Sequence, residues 1–369
     1  GMVGVVEAPW RLGFTLGSVT ELSDDLSLLP TSLVAEDKDQ VAFACGYVWG
    51  RFRSEGWGWV DSLNQAEWSP DAKAKFYTCL PFSKDTWDRV AESLGDEESV
   101  YWQNAGGNIY EAGEDAALGI ELLIQNDRAH TAVRCLQSLK YQTKKIDPNL
   151  AFSALESALR THEDLNRLDA HATVEIIKSL QEHEGVDQER LSILEWGYLP
   201  LLDRFSGGSP ITLEQKLAQD PEFFCQVIQM VFRARGEEPP AEEPSDQTKS
   251  RAENAYRLLD DWHTPPGTLP DGTFSGGHLV AWVEKVKEIT AASGHLDVAL
   301  QRVGHVLFYS QKFASELWLP DDVANVLNQP DSKEMRRGLT LECFNSRGVH
   351  GFTHGKEELE IAAGISEVK

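Results

Sequence analysis

A helix-starting residue followed directly by proline occurs three times in this chain, at Ser69-Pro70, Asp147-Pro148 and Asp220-Pro221. That punctuation constrains the fold most. Serine or aspartate at an N-cap accepts a hydrogen bond from the first free N–H groups, and proline in the first helical position lacks the N–H that would be orphaned there. After Asp220-Pro221, residues Phe223, Phe224, Val227, Ile228 and Val231 recur at steps of three and four, with Arg233 and Arg235 in the last turn and Gly236 as terminator. Asp187 opens a preceding helix to Phe205, with Leu194, Tyr198, Leu201, Leu202 and Phe205 on one stripe. Between them Thr212 and Gln215 have the spacing of a capping box for a short helix, Thr212 to Gln219. Each apolar face needs a cover, so the two longer helices are expected to pack antiparallel, with Phe224 between them. Pro200 should kink the first near Trp196.

The same reading extends along the chain. Lys38 to Arg53 (Val41, Cys45, Val48, Phe52), Ser69 to Leu80, Lys84 to Leu94, Asp147 to Thr161 and Asp169 to Glu182 read as helices. Glu114 to Gln125 and Arg128 to Tyr141 read as a hairpin with Leu118, Leu122, Val133 and Leu136 inside. Helices resume at Gln247 to Trp262 and at His278 to Ser293, with Leu279, Trp282, Val283, Val286 and Ile289 inward. Leu296, Leu300, Val303 and Leu307 mark a partner helix, followed by Asp321 to Asn328, Ser332 to Phe344 and Lys356 to Val368. The last stops without a glycine or proline signal, as in a chain that continues. Asp96 to Gly113 reads as a long loop. Gly236 to Gln247 (GEEPPAEEPSDQ) offers no apolar area to offset ordering entropy, so it reads as a flexible acidic loop. The expected fold is all-α, a curved stack of antiparallel helical hairpins. Such an α-α superhelix is akin to TPR or HEAT arrays but has irregular repeats. Its parts are an N-terminal helical subdomain (1–107), a central hairpin array (108–236), the acidic loop (237–247) and a C-terminal helical subdomain (248–369).

Charge bears on partners. Across 369 residues, 59 acidic against 34 basic side chains give a formal net charge of -25, which disfavours nucleic acid and anionic membranes and favours protein partners with basic faces. There is no apolar run long enough for a membrane span and no secretion signal at the start. Five cysteines, Cys45, Cys79, Cys135, Cys225 and Cys343, are spread singly without a CxxC pair; they read as reduced packing residues of a cytoplasmic protein. The P-loop, GxGxxG, HExxH and GxSxG signatures are lacking, so no catalytic set, cofactor or metal is expected.

Several groups remain as candidate binding residues. His350 and His354, with Glu357, have metal-ligand spacing on a helix, but Gly348, Gly351 and Gly355 favour a polar turn. His162, Asp164, Asp169 and His171 cluster similarly and read as caps and solvated loop residues. Trp49, Trp57, Trp59, Trp68, Tyr101 and Trp102 either line a groove or seal a small core, the second being favoured. Asn345 to Gly348 reads as a turn after a helix ending at Phe344. There Arg347 ties down the last hairpin through helix carbonyls or Glu342, Glu357 and Glu358, or else projects to an acidic partner.

Glu195-Trp196-Gly197-Tyr198-Leu199-Pro200-Leu201-Leu202, Asp220-Pro221-Glu222-Phe223-Phe224 and Asn345-Ser346-Arg347-Gly348 resemble landmarks of the helical C-terminal regions of large, mostly uncharacterised bacterial multidomain proteins, some similar to NTPase-type sensors of defence systems. No strict 34-residue period accompanies them. The resemblance implies a sensor or scaffold segment and transfers no active site. The function expected is therefore a non-enzymatic interaction module; the alternative is an α/α-toroid enzyme acting on carbohydrate, suggested by the aromatics and carboxylates.

Overall fold

The computed structural model describes residues 8–19, 29–143, 145–160, 169–202, 207–238, 243–308 and 321–348. These contain nineteen α-helices and, in place of any strand, one isolated antiparallel bridge between Thr268 and Phe274. The fold is all-α. Among the described residues no helix is long and apolar enough to cross a membrane. The chain forms two compact units, Gly1–Val186 and Asp187–Lys369, so one boundary falls inside the segment that punctuation grouped as a central array.

The first unit contains α1 (Pro9–Val19), α2 (Leu29–Leu33), α3 (Lys38–Glu55), α4 (Trp57–Ser62), α5 (Pro70–Thr78), α6 (Lys84–Leu94), α7 (Ser99–Asn104), α8 (Ala116–Gln125), α9 (Ala129–Thr143), α10 (Pro148–Arg160) and α11 (Ala170–Gln181). The caps work as the sequence implies: Ser69 Oγ accepts from Ala72 N at 3.2 Å, Asp147 from Asn149 N at 2.9 Å and Asp169 from Ala172 N at 3.0 Å. The segment Asp96–Gly113 is not a plain loop. It holds α7, whose Tyr101 and Trp102 are buried, and that burial overrides the surrounding polar sequence. In the hairpin of α8 and α9 the inner face also differs from expectation. Val133 and Leu136 are buried, but Leu118 is exposed and Gly119, Ile120 and Leu123 face inward. A helix as apolar as α8 leaves its orientation open, and Gly119 decides it by admitting the Trp87 ring, whose Cη2 would lie 2.5 Å from a Cβ there.

Helices α1 and α3 meet backbone to backbone. A Cβ on Gly13 would lie 2.0 Å from the Phe43 carbonyl oxygen, and one on Gly46 would lie 2.1 Å from that of Trp10. Both helices carry glycine pairs four apart, Gly13 with Gly17 and Gly46 with Gly50, which present side-chain-free faces one turn apart.

The second unit contains α12 (Gln188–Tyr198), α13 (Ile211–Gln219), α14 (Pro221–Val231), α15 (Asp246–Asp260), α16 (Gly276–Ser293), α17 (Leu296–Phe308), α18 (Asp321–Leu327) and α19 (Lys333–Gly348). Asp187 and Asp220 cap α12 and α14, each accepting from two backbone N–H groups at 3.0–3.1 Å. Pro200 produces no mid-helix kink. The chain tightens into a 3-10 turn, Leu199–Leu201, where Leu202 N donates to Tyr198 O and Leu199 O; residues 203–206 lie outside the described set. Nor does the Thr212 hydroxyl cap α13: the buried Glu195 carboxylate of α12 accepts from Thr212 N at 3.2 Å and Leu213 N at 2.9 Å. A carboxylate is the stronger acceptor, and it meets the positive end of the helix dipole. At the end of α18, Arg336 Nη1 donates to the Leu327 and Gln329 carbonyls. The expected inward faces of α16 and α17 are borne out at Leu279, Trp282, Val283, Val286, Leu300, Val303 and Leu307. Of the acidic loop, residues 239–242 lie outside the described set; the described part is exposed up to Ser245, which caps α15 by accepting from Thr248 N.

Phe224 is fully buried, but its neighbours differ from the expected hairpin. Its ring centroid lies 5.4 Å from that of Trp262 and 5.0 Å from that of Trp282. Phe224→Ala is expected to destabilise the protein by about 3 to 5 kcal/mol, because the two indoles cannot both collapse into the space left; denaturant unfolding measures it. Gly46→Ala tests the backbone contact. Alanine is favoured over glycine in an exposed helix by about 1 kcal/mol, whereas overpacking costs about 1 to 3 kcal/mol. With a carbonyl as the obstacle the second effect is expected to win, giving a lower midpoint.

Candidate functional site

A cavity of about 400 Å³ opens in the first unit, lined by Trp10, Cys45, Trp49, Lys75, Cys79, Tyr101, the loop Asn104–Asn108 and Glu111, among others. Each wall has a traceable origin. Helix α1 lies directly on α3 through the glycine faces, which sets Trp10 beside Cys45 and Trp49. Trp10 is 46% exposed, and its ring stacks on Phe14 at 5.5 Å with 5° between the planes. Trp49, from α3, is half-buried. Lys75 and Cys79 come from the last turn and C-cap of α5.

The glycine-containing loop after α7 is held from behind. The Arg128 guanidinium donates to the Trp102 carbonyl, to Ala105 O at 3.1 Å and to Thr131 Oγ1 at 3.0 Å, and Cys135 Sγ donates to Gly107 O at 3.1 Å. Gly107 has φ +69°, and a Cβ there would lie 2.7 Å from Thr131 Cγ2, so backbone angle and space both require glycine. Glu111 Oε2 accepts from Phe82 N at 2.8 Å and anchors the far side. Tyr101 is buried, which holds its hydroxyl well above the usual tyrosine range and leaves it a neutral wall. Lys75 makes no ion pair among the described residues, although acids dominate the chain.

The sequence-derived candidates fall in different places. Trp59 and Trp102 are core residues, 5% and 2% exposed. Trp59 packs on Phe76, and Trp102 packs on Tyr101, Phe82 and Trp87, so neither ring offers a face to a ligand. Trp57 is half-buried beneath Arg89, whose guanidinium carbon lies 4.2 Å from the ring centroid. Arg89 is fixed in turn by Asp61, at 2.7 Å from Nε and 3.0 Å from Nη2. Asn345 and Arg347 do not form a turn, because α19 continues through Gly348; their side chains, and His350 and His354 entirely, lie outside the described residues. Asp169 caps α11 and His171 pairs with the Tyr141 hydroxyl at 3.4 Å, while His162 and Asp164 lie outside the described set. Among the described residues no group of three His, Cys, Asp or Glu is placed to hold a metal.

Sequence reasoning missed Trp10, Lys75, Glu111 and the Cys45–Cys79 pair. The available signal for Trp10 was the matched glycine spacing in α1 and α3. Cys45 and Cys79 are joined as a disulfide with Cα atoms 5.2 Å apart, which corrects their reading as reduced packing residues; Cys135 and Cys225 are buried and free. A second cavity, about 380 Å³, lies in the other unit beside Pro221, Gly267, His278 and Trp282. No protein-family model, curated protein or solved structure matches the chain.

Burial pushes the Cys135 and Cys225 thiols up to about 12. Both are therefore expected to stay unmodified when the folded protein is treated with iodoacetamide near pH 8 and to react on unfolding, as peptide mass mapping would show.

Proposed function

We propose that the protein is a non-enzymatic helical interaction module for a protein partner, and that it recognises that partner at the cavity of its first unit. The observation that carries this reading is the exposed Trp10 and the half-buried Trp49 lining one cavity beside Lys75, Glu111 and the glycine-containing loop. Accessible tryptophans on a fixed scaffold anchor interfaces, with polar groups around them supplying direction. The formal charge of -25 favours a partner whose larger contact surface is basic. The resemblance to sensor and scaffold segments of bacterial multidomain proteins points the same way. The reading includes the curved, open stack of hairpins expected from the sequence, which small-angle scattering tests against a closed toroid.

Trp49→Ala removes the anchor without touching the residues between α1 and α3 that lack side chains. With immobilised full-length chain, the wild type is expected to retain a protein from native-host extract whose apparent affinity falls about tenfold or more in the variant, equivalent to a loss of about 1.4 kcal/mol. Retention equal in both would remove the cavity from the reading, and turnover of an oligosaccharide by the purified chain would replace the reading with the carbohydrate enzyme.

A further inference from the structure

The cavity wall carries the one pair of cysteines that the described fold brings together. Cys45 lies on α3 and Cys79 caps α5, 34 residues apart in sequence with Cα atoms 5.2 Å apart, inside the range of about 4.4 to 6.8 Å that a disulfide requires. Both are half-buried and both line the cavity, so the pair lies in the wall that a small molecule in the cavity would meet. The reduced state also has a place. Cys79 Sγ lies 3.2 Å from the Lys75 carbonyl oxygen, an acceptor for the thiol. Lys75 lines the same cavity with no carboxylate partner among the described residues. The thiolate is the nucleophile in exchange. The volume of about 400 Å³ is within the range of small-ligand pockets, about 300 to 1,000 Å³.

We infer that Cys45 and Cys79 form a thiol–disulfide exchange site for small acidic thiol peptides of the glutathione class, whose carboxylates the Lys75 ammonium would receive. One cysteine loses its proton to solvent and its thiolate attacks a sulfur of the small disulfide. A protein–small-molecule S–S bond forms, the original S–S bond breaks, and the departing thiolate takes up a proton. The second cysteine, likewise deprotonated, attacks the protein sulfur of that mixed disulfide and expels the other small thiol. In sum, two protein thiols and one small disulfide become one protein disulfide and two small thiols, with two electrons passed to the small molecule. The reverse sequence restores the thiols. The closed pair ties α3 to the end of α5, and the mixed disulfide fills the cavity. The inference uses the cavity of the proposed interaction site but not the identity of its partner.

The test equilibrates the full chain in glutathione buffers from reducing to oxidising, quenches with acid, alkylates after unfolding and maps the cysteine peptides by mass. Cys45 and Cys79 are expected to lose alkylation together in oxidising buffer and to regain it in reducing buffer. Cys79→Ser should hold glutathione on Cys45 as a lasting mixed disulfide, and Lys75→Gln should slow its formation. Two results would overturn the inference: thiols at these positions that stay free in every buffer, or a bond that reduced glutathione does not open, which would be a purely structural cross-link. Both are read on the wild type, so a variant that fails to fold does not remove the test. Retention of the protein partner, measured in parallel, separates the two ideas: exchange can fail while Trp49-dependent binding persists, and the reverse.

Discussion

Every helix end leaves backbone groups that need partners, and a chain cut into nineteen helices among its described residues multiplies that demand. None of these helices exceeds 18 residues, and most are shorter than the roughly 12 to 15 residues below which an isolated helix is marginal in water. Termini and packed faces therefore hold the structure together. Local caps satisfy many ends: Asp37, Ser69, Asp147, Asp169, Asp187, Asp220 and Ser275 each accept from an N–H two or three residues on. Where the ends are more enclosed, side chains from elsewhere serve. Glu195 closes the start of α13 from 17 and 18 residues away, Arg128 closes the end of α7 from 26, and His295 Nε2 reaches the Phe232 carbonyl beyond α14 at 3.0 Å. These partners do two jobs at once, because satisfying an end also fixes one helix relative to another. Arg128 and Arg336 perform that tying role in the described structure; the side chain of Arg347, to which the sequence reading also gave it, lies outside the described residues.

This division between local and distant partners explains what could be read from the sequence. The capped prolines and the inward faces of α16 and α17 were legible because they are written within a few residues. Helix α7 was not. Its six residues sit among glycines and acids, and what holds them is the burial of Tyr101 and Trp102 and the fork of Arg128. The tryptophans divide on the same line. Trp57 and Trp59 are two residues apart, yet one is core against Phe76 and the other lies under Arg89, and nothing within their own helix states which neighbour each will meet. Of the candidate site, Trp49 and Tyr101 were visible as members of an aromatic group; the two cysteines were not, since a separation of 34 residues on different helices leaves no periodic trace.

Glycine contacts supply the other long-range constraint. Gly304 and Gly338 bring α17 and α19 together as Gly13 and Gly46 do α1 and α3: a Cβ on either would lie 1.9 Å from a carbonyl oxygen of the partner helix. Such contacts tolerate little sliding, because the surfaces in contact are main chain, whereas side chains adjust by changing rotamer. A helix seated this way carries its other face to a defined place. For α1 that face includes Trp10, which remains accessible because the contact with α3 uses the glycines in its stead.

The cavity in the first unit follows from these constraints. Its back is the loop Ala105–Asn108, shaped by the positive φ of Gly107 and held by Arg128 and Cys135; its sides are Trp10 and Trp49 on glycine-packed helices; its floor is the end of α5, joined to α3 through Cys79 and Cys45. Hydrophobic collapse alone would close such a space, since apolar rings gain by burial, about 25 cal/mol per Å². Here the main-chain contact and the cross-link limit how far α1, α3 and α5 can move inward, and the guanidinium fork limits the loop. The tryptophans thus stay accessible against the general tendency to bury them. Open aromatic surface held by rigid surroundings suits recognition, because a partner then meets rings whose positions were fixed during folding.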